Sequence, residues 1–127
     1  MASNSGNFKD LVIWNQGMDL CENVYSLIKK FPHEEMFALG TQLRRSVVSI
    51  PSNIAEGHDK GSTKEFIQGL YTARGSNAEV QTQIILSHRF GYISKVECDR
   101  AVEELIYNSR SISGLIKYLK TVSNYKD

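Results

Sequence analysis

Five cations in the middle third of the chain are the side chains best suited to recognition chemistry. They are Arg44, Arg45, Lys60, Lys64 and Arg74. Guanidinium and ammonium groups bind phosphate oxygens, so a local patch of them would bind nucleic acid with an affinity that falls steeply as salt rises. Arg45, Lys60, Lys64 and Arg74 are therefore the candidate nucleic-acid-binding residues. From composition alone, an ordinary solvated surface explains these charges equally well.

The overall charge indicates that any such binding is local. The 127-residue chain has 15 lysines and arginines against 14 acidic residues, a formal net charge of +1. It therefore lacks the strong whole-molecule field typical of small nucleic-acid binders. Residues 36–75 carry five basic and three acidic side chains. The basic excess in this region is small.

Residue types that support catalysis or metal binding are poorly placed. The histidines, His33, His58 and His88, have no helical ligand spacing between any two of them. Cys21 and Cys98 fall within apolar helical stripes, where a free thiol behaves as a small hydrophobe. Neither a Gly-x-Ser-x-Gly elbow nor a phosphate-binding P-loop occurs. The sequence thus predicts no catalytic residue, no metal site and no cofactor, which is typical of a protein that is not an enzyme.

The pattern that must position these cations is helical throughout. The chain has only two prolines, and four long segments place apolar residues at helical spacing. The first predicted helix covers residues 12–30 and ends before Phe31-Pro32, because a residue that precedes proline is pushed out of the helical region. It carries two apolar stripes. One stripe is Leu11, Trp14, Met18, Cys21, Tyr25 and Ile28, and the stripe beside it is Leu20, Val24, Leu27 and Phe31.

The second helix contains a proline. Its apolar stripe of Leu39, Leu43, Val47, Ile50 and Ile54 keeps helical phase across the proline. Pro51 deletes one backbone hydrogen bond and crowds the Val47 carbonyl, so the segment is either one kinked helix or a break with Ser49 capping a new helix. A loop is predicted over Gly57–Gly61.

Two capping boxes mark the starts of the remaining helices. Ser62 with Glu65 should begin the third helix, and Ser94 with Glu97 the fourth. Gly91 is available for a left-handed cap after the third helix. Asn77 and Ser109 occupy core-seam positions, where a buried polar residue usually fixes register.

Short connections between consecutive helices predict an all-α, up-down-up-down antiparallel four-helix bundle. We expect one domain over residues 1–127, with residues 1–8 disordered. The start of the chain has no apolar signal-peptide region, and no run of eighteen apolar residues occurs. A cytoplasmic protein without membrane contact is therefore expected.

The run Gln42–Gly57 carries a specific motif. Its residues are Arg45, Ser49, Ile50, Pro51, Asn53, Ile54, Ala55, Glu56 and Gly57. With the run Ala73–Glu79, this motif resembles that of the bacterial four-helix-bundle family of 23S rRNA intervening-sequence proteins, over roughly Phe8 to Lys120. The positions taken as the structural motif of the chain are Arg44, Pro51, Asn53, Glu56, Gly57, Asn77 and Glu79.

The resemblance implies a small protein with ribosome-associated naming, of a kind often encoded within inserts in the gene for large-subunit ribosomal RNA. The fold also looks like that of the accessory protein of diversity-generating retroelements, a five-subunit barrel that binds nucleic acid and a reverse transcriptase. A homopentamer that binds RNA or DNA is the resulting expectation. A protein-protein interaction scaffold without nucleic-acid affinity, with an unidentified protein partner, is the alternative.

Two contacts are also predicted. Arg44 lies at the edge of the apolar surface of its helix, and a half-buried arginine there would pair with a carboxylate such as Glu79. Gly69, Ala73 and Ser76 form a strip of small residues that would admit a close neighbour, which favours assembly.

Overall fold

The computed structural model describes residues 6–123, and this part of the chain is helical without a strand. A short 3-10 turn, Phe8–Asp10, comes first. The α-helices that follow are α1 (Val12–Ile28), α2 (His33–Met36), α3 (Leu39–Asp59), α4 (Thr63–Arg89) and α5 (Lys95–Ser123). The prediction of an all-α fold is confirmed.

The four long helices form a bundle in which each packs on two others. Helix α1 packs on α3 and α5, and α4 packs on the same two helices from the other side. Three residues join α3 to α4 and five join α4 to α5, which forces each pair to run antiparallel. The predicted four-helix bundle is confirmed, with α2 as a single turn between α1 and α3.

Most of the predicted disorder at the start falls on residues 1–5, which lie outside the described range. Residues 7 and 8 make local contacts with the residues that follow them. The Asn7 side chain accepts a hydrogen bond of 2.9 Å from the Lys9 backbone N–H, and the Phe8 ring packs edge-on against Trp14.

The core follows the predicted apolar stripe in α3, is continued by α4 and α5, and draws on both predicted stripes in α1. Leu43, Val47, Ile50, Ile54, Leu70, Val80, Ile84, Leu105 and Ile112 are all fully buried. In α1 the buried residues come from both predicted stripes, with Leu20 and Val24 from one and Ile28 from the other, whereas Met18 and Tyr25 are 39% and 41% exposed. The face of α1 that carries Met18 and Tyr25 is therefore turned away from the centre of the bundle.

Helix α3 continues through Pro51, so the break capped by Ser49 does not form. Proline has no N–H with which to bond the Val47 carbonyl. That carbonyl instead accepts a hydrogen bond from the Cys21 thiol of α1, with Sγ and O 3.4 Å apart. Gly17 leaves room for the proline ring, since a Cβ on Gly17 would lie only 3.2 Å from Pro51 Cδ. Helix α1 thus provides both the space and the hydrogen-bond donor that Pro51 of α3 requires.

Helices α3 and α4 approach each other most closely at two glycines. A Cβ on Gly69 would lie 2.7 Å from the Asn53 carbonyl oxygen and 2.9 Å from Gly57 Cα. Gly57 is buried and helical, so the predicted loop over Gly57–Gly61 is wrong in its first three residues. Within it, Gly61 alone has a positive φ, of 91°.

The strip of small residues on α4 is used within the chain. Gly69 lies against α3, Ala73 is fully buried, and the Ser76 hydroxyl is 2.8 Å from that of Ser49 on α3. The prediction that this strip admits another subunit is therefore wrong, because α3 already occupies it.

The predicted helix caps are confirmed. Ser62 Oγ accepts the Glu65 N–H at 3.1 Å, and Ser94 Oγ accepts the Glu97 N–H at the same distance. Glu97 Oε1 in turn accepts the Ser94 N–H at 2.8 Å. Gly91 has a φ of 82°, as predicted for a left-handed cap.

A chain of buried amides links three helices. Asn77 of α4 donates from Nδ2 to the Asn108 Oδ1 of α5 at 3.1 Å, and Asn108 donates to the Gln16 Oε1 of α1 at 2.9 Å. Gln81 donates to Asn77 Oδ1 at 2.7 Å. The prediction for Asn77 is confirmed, but that for Ser109 is wrong, because α5 turns its neighbour Asn108 toward the core.

Replacing Gly69 by alanine should destabilise the protein, although alanine is the better helix former by about 1 kcal/mol. The new Cβ would meet a backbone oxygen at 2.7 Å, and overpacking of this kind costs about 1–3 kcal/mol. We expect the free energy of unfolding, measured by urea denaturation, to fall by up to about 2 kcal/mol.

Gly75→Ala is the matched control for this substitution. Gly75 lies on the same helix, and a Cβ added there would meet no atom within 4 Å, so alanine should raise the free energy of unfolding by about 0.5–1 kcal/mol. Equal effects at Gly69 and Gly75 would contradict the close approach of α3 and α4.

Stability should also depend on the Glu97 carboxyl of α5, which is paired with Lys30 in the connection between α1 and α2. The Lys30 ammonium beside Glu97, helped by the Ser94 N–H, lowers the pKa of that carboxyl to about 2. The folded-state pKa lies below the ordinary value of about 4.3, so this contribution is present above pH 4.3 and is lost as the pH falls toward 2. The difference in unfolding free energy between the wild type and Glu97→Gln should shrink over that range.

Urea titrations of both proteins at several acidic pH values measure this difference. Glu103→Gln, at an exposed position on the same helix, serves as the control. A gap between wild type and Glu97→Gln that stays constant or widens on acidification would show that the ion pair is not formed.

Candidate nucleic-acid interface

Lys60 and Lys64 lie at the end of the bundle where α3 passes into α4. Lys60 caps the C-terminus of α3, Lys64 lies in the first turn of α4, and both are exposed. The contact between Gly57 and Gly69 lies within two turns of both lysines. Because this contact fixes the separation of the two helices, the lysines are held at a defined place on the bundle.

The last turns of α5 lie at the same end. One cavity is bounded by residues of the α3–α4 connection, such as Asp59 and Thr63, and by Leu115, Tyr118 and Leu119 of α5. Lys117 and Lys120, which belong to these turns of α5, therefore lie at the same end of the bundle as the two lysines.

Arg74 is held against an aromatic ring. Its guanidinium carbon lies 4.9 Å from the centre of the Tyr71 ring, and the Lys120 ammonium lies 5.1 Å from the same centre. Arg74 Nη1 also donates to the Ser113 hydroxyl of α5 at 3.1 Å. Arg74 is half-buried, but a guanidinium has five N–H donors, so donors remain for a further acceptor.

We call Lys60, Lys64, Tyr71, Arg74 and Lys120 the basic end of the bundle, in which Arg74 lies furthest from the tip, about 15 Å from Lys64 along the axis of α4. Sequence reasoning missed Tyr71 and Lys120. The spacing of three residues between Tyr71 and Arg74 was a usable signal, since it places both side chains on one helix face. No signal in the sequence brings Lys120 of another helix to the same ring.

Arg45 lies apart from the basic end. It precedes Lys60 by fifteen residues on one continuous helix, which places it about 22 Å away along the helix axis. There it lines a cleft between α3 and α4 with Glu79. The four predicted phosphate-binding residues therefore do not form one patch within a single chain.

Arg44 does not pair with Glu79. Its Nη1 donates to the Met36 carbonyl at 2.9 Å, and its guanidinium carbon lies 5.8 Å from the centre of the Tyr25 ring of α1. Arg44 and Arg45 are about 100° apart around α3, so Arg44 faces α1, whereas Arg45 and Glu79 line the cleft between α3 and α4. The predicted ion pair is wrong for this reason.

The other motif positions mostly serve the packing of α3. Pro51 and Gly57 are buried contacts with α1 and α4. Asn53 Nδ2 donates to both the carbonyl and the hydroxyl oxygen of Ser49 at 2.8 Å. Glu56 is exposed. The motif residues therefore serve mainly to pack α3 against its neighbouring helices.

The cysteines are not activated for nucleophilic chemistry. Burial, with a smaller contribution from Glu22, raises the pKa of the Cys21 thiol to about 11, and burial also raises the pKa of Cys98. Both thiols are therefore protonated at neutral pH, and the thiolate is the nucleophilic form. A protonated thiol also suits Cys21 as the hydrogen-bond donor to Val47.

The described residues contain neither a cluster of metal ligands nor a helix able to span a membrane. Within residues 6–123, no group of three or more histidine, cysteine, aspartate or glutamate side chains is arranged to hold a metal ion. None of the helices described there has both the length and the apolar character needed to span a bilayer.

Comparison with known proteins places these features in context. A family model described as 23S rRNA-intervening sequence protein matches residues 9–114. A solved structure of a protein with unknown function from the S23 ribosomal protein family of Bacteroides thetaiotaomicron VPI-5482 is similar, with a TM-score of 0.77 and 23% identity over 84% of this chain and 99% of that chain. At this identity the likeness concerns the fold alone. No curated protein matches the chain.

Proposed function

This chain belongs to the 23S rRNA-intervening sequence protein family, and we propose that it is a non-enzymatic helical bundle of the cytoplasm that binds RNA or DNA through phosphate contacts. The observation that carries the proposal is the collection of cations from α3, α4 and α5 at the basic end. The raised pKa values of both thiols support the non-enzymatic part of the proposal.

Acidic residues at the basic end only partly offset the cations. Asp59 and Glu65 lie beside the two lysines, and their two negative charges stand against the four cations of the basic end. Lys60 and Lys64 make no ion pair with a residue in the part of the chain that the structure describes. Their ammonium groups are therefore available to phosphate.

The proposed binding is electrostatic, without base stacking. Base-stacking proteins present free aromatic faces to the nucleic acid. The Tyr71 ring is already in contact with two cations, so it positions Arg74 and Lys120 instead. Arg45 remains a separate proposed contact. Because it lies away from the basic end, it would contact a different part of the same nucleic acid, from the same subunit or from a neighbouring one.

Binding of a fluorescent RNA hairpin, and of a DNA duplex, over a salt series tests the proposal. Each phosphate contact contributes about 0.9 to the slope of log affinity against log salt on duplex DNA. Replacing Lys60 and Lys64 together by alanine should therefore lower the slope on DNA by about 1.8 and weaken binding to both ligands at low salt.

Lys29→Ala is the matched control, since Lys29 is exposed at the C-terminus of α1, at the opposite end of the bundle. It should leave the slope unchanged. No binding of either ligand at low salt would reject the proposed function, as would an unchanged slope in the double variant.

We also propose that the protein self-associates. A groove of about 600 Å³ between α4 and α5 is lined by apolar residues such as Ile85 and Ile106, with Asp99 and Glu103 beside them. On the opposite side, Tyr25 and Val48 are 41% and 40% exposed next to Arg44. The groove also contains Arg110, and Asp99 is paired with Lys95 at 2.8 Å. Glu103 is therefore the carboxylate left to meet Arg44 in a head-to-tail contact that closes into a ring. Five subunits, as the family resemblance implies, remain the expected number.

A ring built by rotation places the basic end of every subunit on one rim. Linked binding sites raise the overall affinity without any new contact. The modest charge of one chain would then suffice for nucleic-acid binding by the assembly.

Light scattering of the purified protein measures the assembly. The wild type should have the mass of an oligomer, whereas Ile85→Glu should give monomers, because a carboxylate buried beside Asp99 and Glu103 opposes association. Val96→Glu, at a 68% exposed position near the start of α5, should leave the oligomer intact. A monomeric wild type would reject self-association.

A scaffold that binds another protein is the second candidate function. The groove between α4 and α5 favours it, because an amphipathic helix can bind in a groove of this kind. A protein partner recovered by the wild type but not by Ile85→Glu, together with no nucleic-acid binding at low salt, would favour the scaffold over the nucleic-acid binder.

A further inference from the structure

A second cleft, separate from the basic end, lies between the middle of α3 and the middle of α4. Its volume is about 390 Å³, which lies within the range of about 300–1,000 Å³ for small-molecule sites. Every residue that lines it is polar or charged: Gln42, Arg45, Ser46, Ser49, Glu79 and Gln83. A polar ligand is therefore expected here, in contrast to the apolar groove between α4 and α5.

Opposite charges face this cleft from its two walls without meeting. Arg45 belongs to α3 and Glu79 to α4, and neither makes an ion pair or a hydrogen bond with the described residues. Their helices are fixed relative to each other by the hydrogen bond between Ser49 and Ser76 at one end of the cleft. A ligand with one negative and one positive group could pair with both Arg45 and Glu79.

A buried side chain of the cleft lacks a partner. Gln83 is only 7% exposed, and its carbonyl oxygen has no hydrogen-bond partner. Buried polar atoms are nearly always bonded, so such an atom calls for an explanation. A ligand donor that reaches this oxygen at the floor of the cleft would supply the hydrogen bond that it lacks.

We propose that this cleft binds a free α-amino acid. Its ammonium group would donate to the Glu79 carboxylate and the Gln83 oxygen, while its carboxylate would accept from the Arg45 guanidinium and the Ser46 hydroxyl. A simple anion is repelled by Glu79, and a simple cation by Arg45. A nucleobase requires an aromatic or apolar stacking surface, and the lining offers none.

Titration of each free α-amino acid into ¹⁵N-labelled protein tests the proposal, with the Gln83 side-chain amide signal as the reporter. At least one amino acid should give a saturable shift at millimolar concentration. Arg45→Gln and Glu79→Gln should each weaken that binding about tenfold or more, as expected for the loss of a hydrogen bond between charged groups. Acetate and methylammonium, with one charge each, should bind at least tenfold more weakly.

Arg100→Gln and Glu56→Gln change exposed charges outside the cleft, and binding should be unaffected in both. The absence of a saturable shift with every amino acid would overturn the proposal. So would binding that survives in both cleft variants, or acetate binding as tight as that of the amino acid. None of these outcomes bears on phosphate binding at the basic end, which is measured separately with nucleic acid.

Discussion

The close approach of two backbones at Gly57 and Gly69 is the constraint on which the rest of the structure depends. With a Cβ on Gly69 only 2.7 Å from the Asn53 carbonyl oxygen, neither helix can carry a larger residue there without moving the other. Because α3 and α4 touch within two turns of their connection, three residues suffice to join them. The same contact determines where Lys60 and Lys64 lie. The packing of α3 on α4 therefore also sets the position of the proposed site.

The remaining helices are fitted to this pair by polar contacts. On one side, Gly17 of α1 leaves space for the Pro51 ring of α3, and the Cys21 thiol of α1 donates to the Val47 carbonyl. On the other side, Asn77 and Asn108 join α4 to α5. A buried amide that slides by one turn loses its partner, and an unpaired buried polar group is costly. These bonds therefore fix the register of helices whose apolar stripes alone would tolerate sliding.

The sequence predicts what depends on neighbours along the chain. The stripe of α3, the serine caps and the left-handed Gly91 are local features, and all were confirmed. Several of the errors share a physical cause, because they depend on how a helix is rotated against another. Leu20 and Cys21 differ by only about 100° around α1, yet Leu20 is buried and Cys21 is only partly buried. The same reasoning applies to Asn108 in place of Ser109, and to the contact of Lys120 with Tyr71.

Mapping the nucleic-acid contact surface by NMR tests the central claim most directly. A structured RNA hairpin at low salt is titrated into ¹⁵N-labelled protein, and the backbone amide shifts are placed on the bundle. The account predicts that the largest shifts fall on residues 58–66, 71–74 and 117–120, which surround the basic end. Shifts concentrated at the opposite end, around residues 29–37 and 90–97, or no shift at all, would contradict it.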